Sequence, residues 1–123
     1  MVIPDSSVWI QFLSKRLKAN DLLKALVEEE QVMSHELVFA ELLMGDNGGR
    51  RKFLADYFAF PTAATVPYEE VVHFVKARRL HGLGLSWVDA NLLASAVVER
   101  AKLWTLDAEL DQAARRLGVR LAH

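Results

Sequence analysis

The chain has 123 residues, no cysteine, 15 basic against 16 acidic side chains, and a formal charge of -1. This excludes disulfides, thiolate catalysis and cysteine-ligated zinc. It also offers no global basic charge, so any contact with nucleic-acid phosphate must come from a local basic patch. Apolar residues make up 52% of the chain, enough for one buried core with apolar surface left for a partner. No apolar run approaches the roughly 20 residues of a membrane span. The N-terminus lacks the basic and long apolar regions of a signal peptide. The expectation is a cytoplasmic protein forming a single domain over residues 1–123.

Val2-Ile3 predicts a short first strand, with Pro4 tolerable at its end because proline cannot donate to a ladder. Residues 8–13 predict a helix with Trp9, Phe12 and Leu13 on one side. After the basic turn at residues 15–18, Asn20 and Asp21 can cap a helix running to Glu30. Residues 31–33 predict a second strand. Ser34 is placed to cap a helix over residues 35–44 that Gly45 ends. Asp46-Asn47-Gly48-Gly49 is the clearest loop. A helix with Phe53, Leu54, Tyr57 and Phe58 follows Arg50-Arg51-Lys52. Pro61 and Pro67 bracket a third strand over residues 62–66. Residues 68–80 and 87–100 predict two helices, the second preceded by Ser86. Residues 103–106 predict a fourth strand. A helix from Asp107 to about Leu117 and a fifth strand over residues 119–121 close the chain. Strands alternating with helices predict an α/β fold, a parallel sheet covered on both faces.

Four carboxylates carry the chemical reading. Asp5 and Asp107 each follow an apolar strand, where a parallel α/β sheet places its ligand site. Each could equally cap the next helix. Asp89 falls in the first turn of its helix, where an acid complements the dipole. Glu41 lies within Leu37-Val38-Phe39-Ala40-Glu41-Leu42-Leu43-Met44. So apolar a helix is expected to be mostly buried, leaving Glu41 to find a cation, take up a proton, or sit on one wet face paired with an arginine. If the four converge they repel, by on the order of 4 kcal/mol for two charges about 4 Å apart at an effective dielectric near 20. A cluster of oxygen ligands favours Mg²⁺ or Mn²⁺, and the chemistry implied is metal-dependent hydrolysis of a phosphodiester.

Asp5-Ser6-Ser7-Val8-Trp9-Ile10, Glu41-Leu42-Leu43-Met44-Gly45, Asp89-Ala90-Asn91-Leu92-Leu93-Ala94-Ser95-Ala96 and Leu103-Trp104-Thr105-Leu106-Asp107 resemble, in order, the motifs of PIN-domain ribonucleases. The VapC-type toxins of bacterial and archaeal toxin–antitoxin pairs are the most similar group. The resemblance spans essentially the whole chain and rests on the ordered set rather than on any single motif. It implies a three-layer α/β/α fold with a central parallel sheet of about five strands in the order 3-2-1-4-5. It implies an acidic pocket holding Mg²⁺ or Mn²⁺, with Asp5 and Asp89 the principal ligands beside Glu41 and Asp107. Ser7 and Thr105 would orient the acids or a bound water. An RNA substrate, a cognate antitoxin that inserts a basic side chain near the acids, and a homodimer are the partners it implies. The sequence departs from the family at Ser6, where threonine is common, at Pro4, and at Glu109, where a second aspartate is frequent and to which no site role is given.

Arg50, Arg51 and Lys52, like Lys15, Arg16 and Lys18, could hold RNA phosphates or be solvated surface charge. His35, His73, His81 and His123 lack metal-ligand spacing. Trp9, Phe12, Phe53, Tyr57, Phe58 and Phe60 suit a core, with some expected at a dimer or antitoxin surface. Two other enzyme readings are an RNA-processing PIN nuclease without a toxin role and a phosphatase using Asp5 as nucleophile. The latter needs a second aspartate where Ser7 stands. A non-catalytic binding module, its acids serving as caps, is the remaining alternative.

Overall fold

A computed structural model describes residues 1–123. Its centre is β1, Val2–Pro4, all three residues buried. A strand buried on both faces and rich in β-branched residues suits the middle of a parallel sheet. β1 pairs in parallel with β2, Lys102–Trp104, matching Val2 to Lys102, Ile3 to Leu103 and Pro4 to Trp104. Pro4 ends the strand, and the amide of Asp5 makes the next bond, donating to the Trp104 carbonyl at 2.9 Å.

The other three expected strands contribute single parallel bridges, Val2 with Val32, Ser34 with Thr62 and Leu103 with Arg120. Each is clasped by two bonds about one residue, such as Leu103 N to Val119 O and Leu121 N to Leu103 O. Prolines 61 and 67 bound the 62–66 segment and limit what it can donate. The fourth strand stops short of the expected Thr105 and Leu106 because side chains take its next amides. Leu106 N donates to Ser7 Oγ and Asp107 N to Thr105 Oγ1, both at 3.0 Å.

Seven helices surround this sheet: α1 Ser6–Leu13, α2 Asn20–Glu28, α3 Glu36–Met44, α4 Arg51–Asp56, α5 Tyr68–Ala77, α6 Trp87–Glu99 and α7 Ala108–Arg116. A 3-10 turn, Tyr57–Ala59, continues α4. α1 begins two residues earlier than expected because Asp5 caps it. α2 has Ala19 at its N-cap and no side-chain cap bond, so neither Asn20 nor Asp21 caps it. α3 is capped by His35, whose Nδ1 accepts the Leu37 amide at 3.1 Å. Ser34 instead donates its hydroxyl across to the 60–62 segment.

α6 is the most enclosed helix, with Ala90 through Ala96 all buried. α3 departs from expectation. Val38 and Leu42, four residues apart on one face, are buried, while Leu43 and Met44 are 50% and 86% exposed. Apolar composition did not mean burial there, because only one stripe of α3 meets the rest of the chain. Trp9 and Tyr57 are fully enclosed beside Phe53 and Phe60, whereas Phe58 is 45% exposed. Arg50 donates to the Leu42 carbonyl at 3.1 Å and so closes the end of α3. No helix is long and apolar enough to cross a membrane.

Candidate active site

The carboxyl end of β1 delivers Asp5 to the start of α1. Its backbone is extended, and its Oδ1 accepts the Val8 amide at 3.2 Å, so the capping role is real. It is only part of the arrangement. Ser7 Oγ donates to Asp5 Oδ1 and Thr105 Oγ1 donates to Asp5 Oδ2, each at 2.5 Å. Each hydroxyl also accepts a backbone amide, Leu106 for Ser7 and Asp107 for Thr105. With its lone pair used in that way, each hydroxyl's single proton is directed at the carboxylate. Thr105 reaches Asp5 because parallel pairing of β1 and β2 brings residue 105 level with residue 5.

Glu41 stands on the rim of the same region. Its Oε1 accepts the Ser6 hydroxyl at 3.0 Å, linking α3 to α1. It therefore occupies the wet face of its helix and has no arginine partner. Asp89 completes a capping box at the start of α6, its Oδ2 accepting the Ser86 amide at 3.0 Å while its own amide donates to Ser86 Oγ at 3.1 Å.

The electrostatics bring these three acids together. Burial pushes the Asp5 carboxyl above its usual value; the bonds from Ser7, Thr105 and Val8 oppose this, and the charge of Asp89 adds to it. Glu41 is likewise raised by partial desolvation, opposed by Ser6 and reinforced by the charges of Asp5 and Asp89. No lysine or arginine compensates them, since the chain's one ion pair is Arg120 with Asp111.

Asp107 lies just beyond. It is exposed, it caps α7 by accepting the Leu110 amide at 2.9 Å, and it meets the cluster through its own amide on Thr105. The four expected acids thus resolve into Asp5 and Glu41, which both feel the charge of Asp89, and Asp107, which is tied to Asp5 through the Thr105 hydroxyl. Ser6, given no role from sequence, is the residue that holds Glu41. Its sequence signals were its place beside Asp5 and its standing where the resembled family commonly has threonine.

Every donor here is an oxygen and the local charge is negative, which suits a hard divalent cation. No three His, Cys, Asp or Glu side chains stand close enough to enclose an ion by themselves. A site of one or two carboxylates, completed by water and substrate phosphate, is the habit of Mg²⁺ rather than of a closed structural metal.

The family profile of the PIN domain matches residues 2–116, and the chain belongs to that family. Ribonuclease VapC32 of Mycobacterium tuberculosis, in strains CDC 1551 and H37Rv, is 40% identical over 126 residues, covering 99% of this chain and 97% of that protein. This agrees with the VapC-type resemblance of the motifs. In fold the chain is similar to the crystal structure of PAE2754 from Pyrobaculum aerophilum, with a TM-score of 0.61 at 17% identity over 97% of this chain and 96% of that one.

Proposed function

We propose that this protein is a divalent-metal-dependent endoribonuclease and the toxin of a type II toxin–antitoxin pair. One observation carries the catalytic reading: the carboxyls of Asp5 and Glu41 are both raised, by burial and by the charge of Asp89, with no cation of the chain beside them. Similarity to a protein named ribonuclease VapC32 supports RNA as substrate and supports the toxin role. We read residues 1–123 as one nuclease domain. The three single bridges support a five-segment sheet in the order 3-2-1-4-5 between two helical layers.

In this reading Asp5 and Asp89 are the principal ligands of Mg²⁺ or Mn²⁺, with Glu41 and Asp107 at its periphery. Such an ion supplies Lewis acidity at the scissile phosphate and makes hydroxide accessible near neutral pH. The chain does the positioning. Ser7 and Thr105 hold both oxygens of Asp5 and keep that carboxylate from rotating. Ser6 aims Glu41. Glu41 is solvent-accessible and of raised proton affinity, so it is the group suited to accept a proton from the attacking water. Hydrolysis then breaks one P–O bond of the RNA backbone.

The test compares RNA cleavage by the natural chain and by Asp5→Asn, each in Mg²⁺, in Mn²⁺ and in EDTA. Cleavage is expected only for the natural chain with metal. Equal cleavage by Asp5→Asn would remove Asp5 from the mechanism. For the toxin role, growth arrest on expression should be relieved by an antitoxin-like protein encoded immediately upstream. Homodimerisation and an antitoxin side chain reaching the acids are the partner arrangements we expect.

A further inference from the structure

Between α1, the turn that follows it and the end of β2 is an open cavity of about 350 Å³. Its lining includes Gln11, Arg16, Leu17, Lys18, Trp104 and Leu106. We infer that this cavity is the subsite for a nucleotide flanking the scissile phosphate of a single-stranded RNA. The inference rests on the nuclease reading above and names where the strand continues.

Three observations support it. The cavity and the acidic site share α1 as a border, since Gln11 lines the cavity and Ser7, which holds Asp5, lies one turn away, a rise of about 6 Å. They are joined on the other wall by Leu106, whose amide donates to Ser7 Oγ. Two cations stand at the cavity, and neither Arg16 nor Lys18 has an acidic partner in the chain. The Trp104 indole, buried and with its N–H unpartnered, forms part of the cavity wall, so its N–H resonance reports on what enters there. The one comparable orphan, Trp9 Nε1, belongs to an indole surrounded by the rings of Phe12, Phe53, Tyr57 and Phe60. The Trp104 indole instead sits with cations and aliphatic side chains, next to the His123 ring at 5.3 Å. Single-stranded RNA is recognised by this combination: a base against apolar side chains and basic groups on the phosphate. A pocket of about this size falls within the ordinary range for small ligands.

The experiment titrates ¹⁵N-labelled Asp5→Asn protein, and the natural chain in EDTA, with a mixed-sequence single-stranded hexaribonucleotide. The Trp104 indole N–H resonance is expected to move saturably while that of Trp9 stays in place. Replacing both exposed cations, Arg16→Gln with Lys18→Gln, should weaken binding about tenfold and lower the salt slope by about 1.4, at roughly 0.7 per cation on a single strand. In cleavage with metal the same pair should raise KM with kcat nearly unchanged. RNA binding that leaves Trp104 unmoved, or no binding at all, overturns the inference. So does a Trp104 shift produced by an acidic amphipathic peptide and not by RNA, which would make the cavity a protein-docking site. Loss of the nuclease reading looks different: Asp5→Asn would cleave like the natural chain, whatever Trp104 does.

Discussion

Asp5 and His35 occupy equivalent places and have been resolved in opposite ways. Each is buried, each follows a segment bridged into the sheet, each has extended backbone, and each caps the next helix with its side chain. The proton inventory of His35 closes. Ser95 Oγ donates to the Ala64 carbonyl at 2.9 Å, so it must accept from His35 Nε2–H, also at 2.9 Å. Nδ1 accepts from Leu37. One neutral ring uses both nitrogens, and desolvation, with Glu36 opposing weakly, lowers its pKa in keeping with that neutral form. Beside it the buried Tyr57 hydroxyl accepts the His35 amide at 2.9 Å, and burial raises its pKa so that it stays protonated. The inventory of Asp5 does not close. Three donors call for an anion, while burial and Asp89 oppose one. A neutral group with its hydrogen bonds complete holds the fold together; a buried carboxylate with donors but no cation leaves a binding energy to be collected by a ligand.

The largest effect on stability should come from the closed site. His35→Ala removes a helix cap, strands Ser95 and opens a void, and is expected to cost about 2–4 kcal/mol by denaturant unfolding. The loss should be the same with and without Mn²⁺. A loss that disappeared on adding metal would place His35 in the acidic site and dissolve the contrast.

The two sites should also titrate in opposite directions. A histidine whose folded pKa is lowered contributes stability above its ordinary value of 6.5, and that contribution falls away as the pH drops below it. Carboxyls whose folded pKa values are raised act the other way. Asp5 and Glu41 favour the fold when protonated, and that contribution is lost as the pH rises through their folded values. Without metal, Asp5→Asn should therefore be at least as stable near neutral pH as the natural chain. With Mn²⁺ the natural chain should show the larger upward shift in Tm. Equal thermal shifts in the two proteins would mean that Asp5 holds no ion.

Much of this contrast was legible in the sequence, and the remainder was hidden for identifiable reasons. The alternation of strands and helices, and an acid at the end of β1 and another after β2, came through because both signals are local. Whether Asp5 and Asp89 were caps or members of a cluster could not be separated in sequence; both cap their helices, and Asp5 also takes the hydroxyls of Ser7 and Thr105. The contacts that were out of reach of the sequence, Ser6 with Glu41 and Thr105 with Asp5, join residues 35 and 100 apart. His35 was overlooked as a cap because Ser34 is the usual residue type for that task. The exposure of Leu43 and Met44 was missed because composition says how apolar a helix is, not how much of it has a neighbour.

Asp107 is where the contrast can be made sharpest, since its capping role and its proposed chemical role predict different mutants. Asparagine caps a helix about as well as aspartate, so Asp107→Asn should change stability by less than about 0.5 kcal/mol, while Asp107→Ala should lose about 1 kcal/mol with the bond to Leu110. If the carboxylate also helps to hold the metal, Asp107→Asn should cleave more slowly, and raising Mn²⁺ should recover part of the rate. Its effect should be smaller than that of Asp5→Asn, because Asp107 is exposed and reaches the cluster only through Thr105. Full activity in Asp107→Asn, with the stability loss confined to Asp107→Ala, would make residue 107 a cap alone and leave the chemistry to Asp5, Glu41 and Asp89.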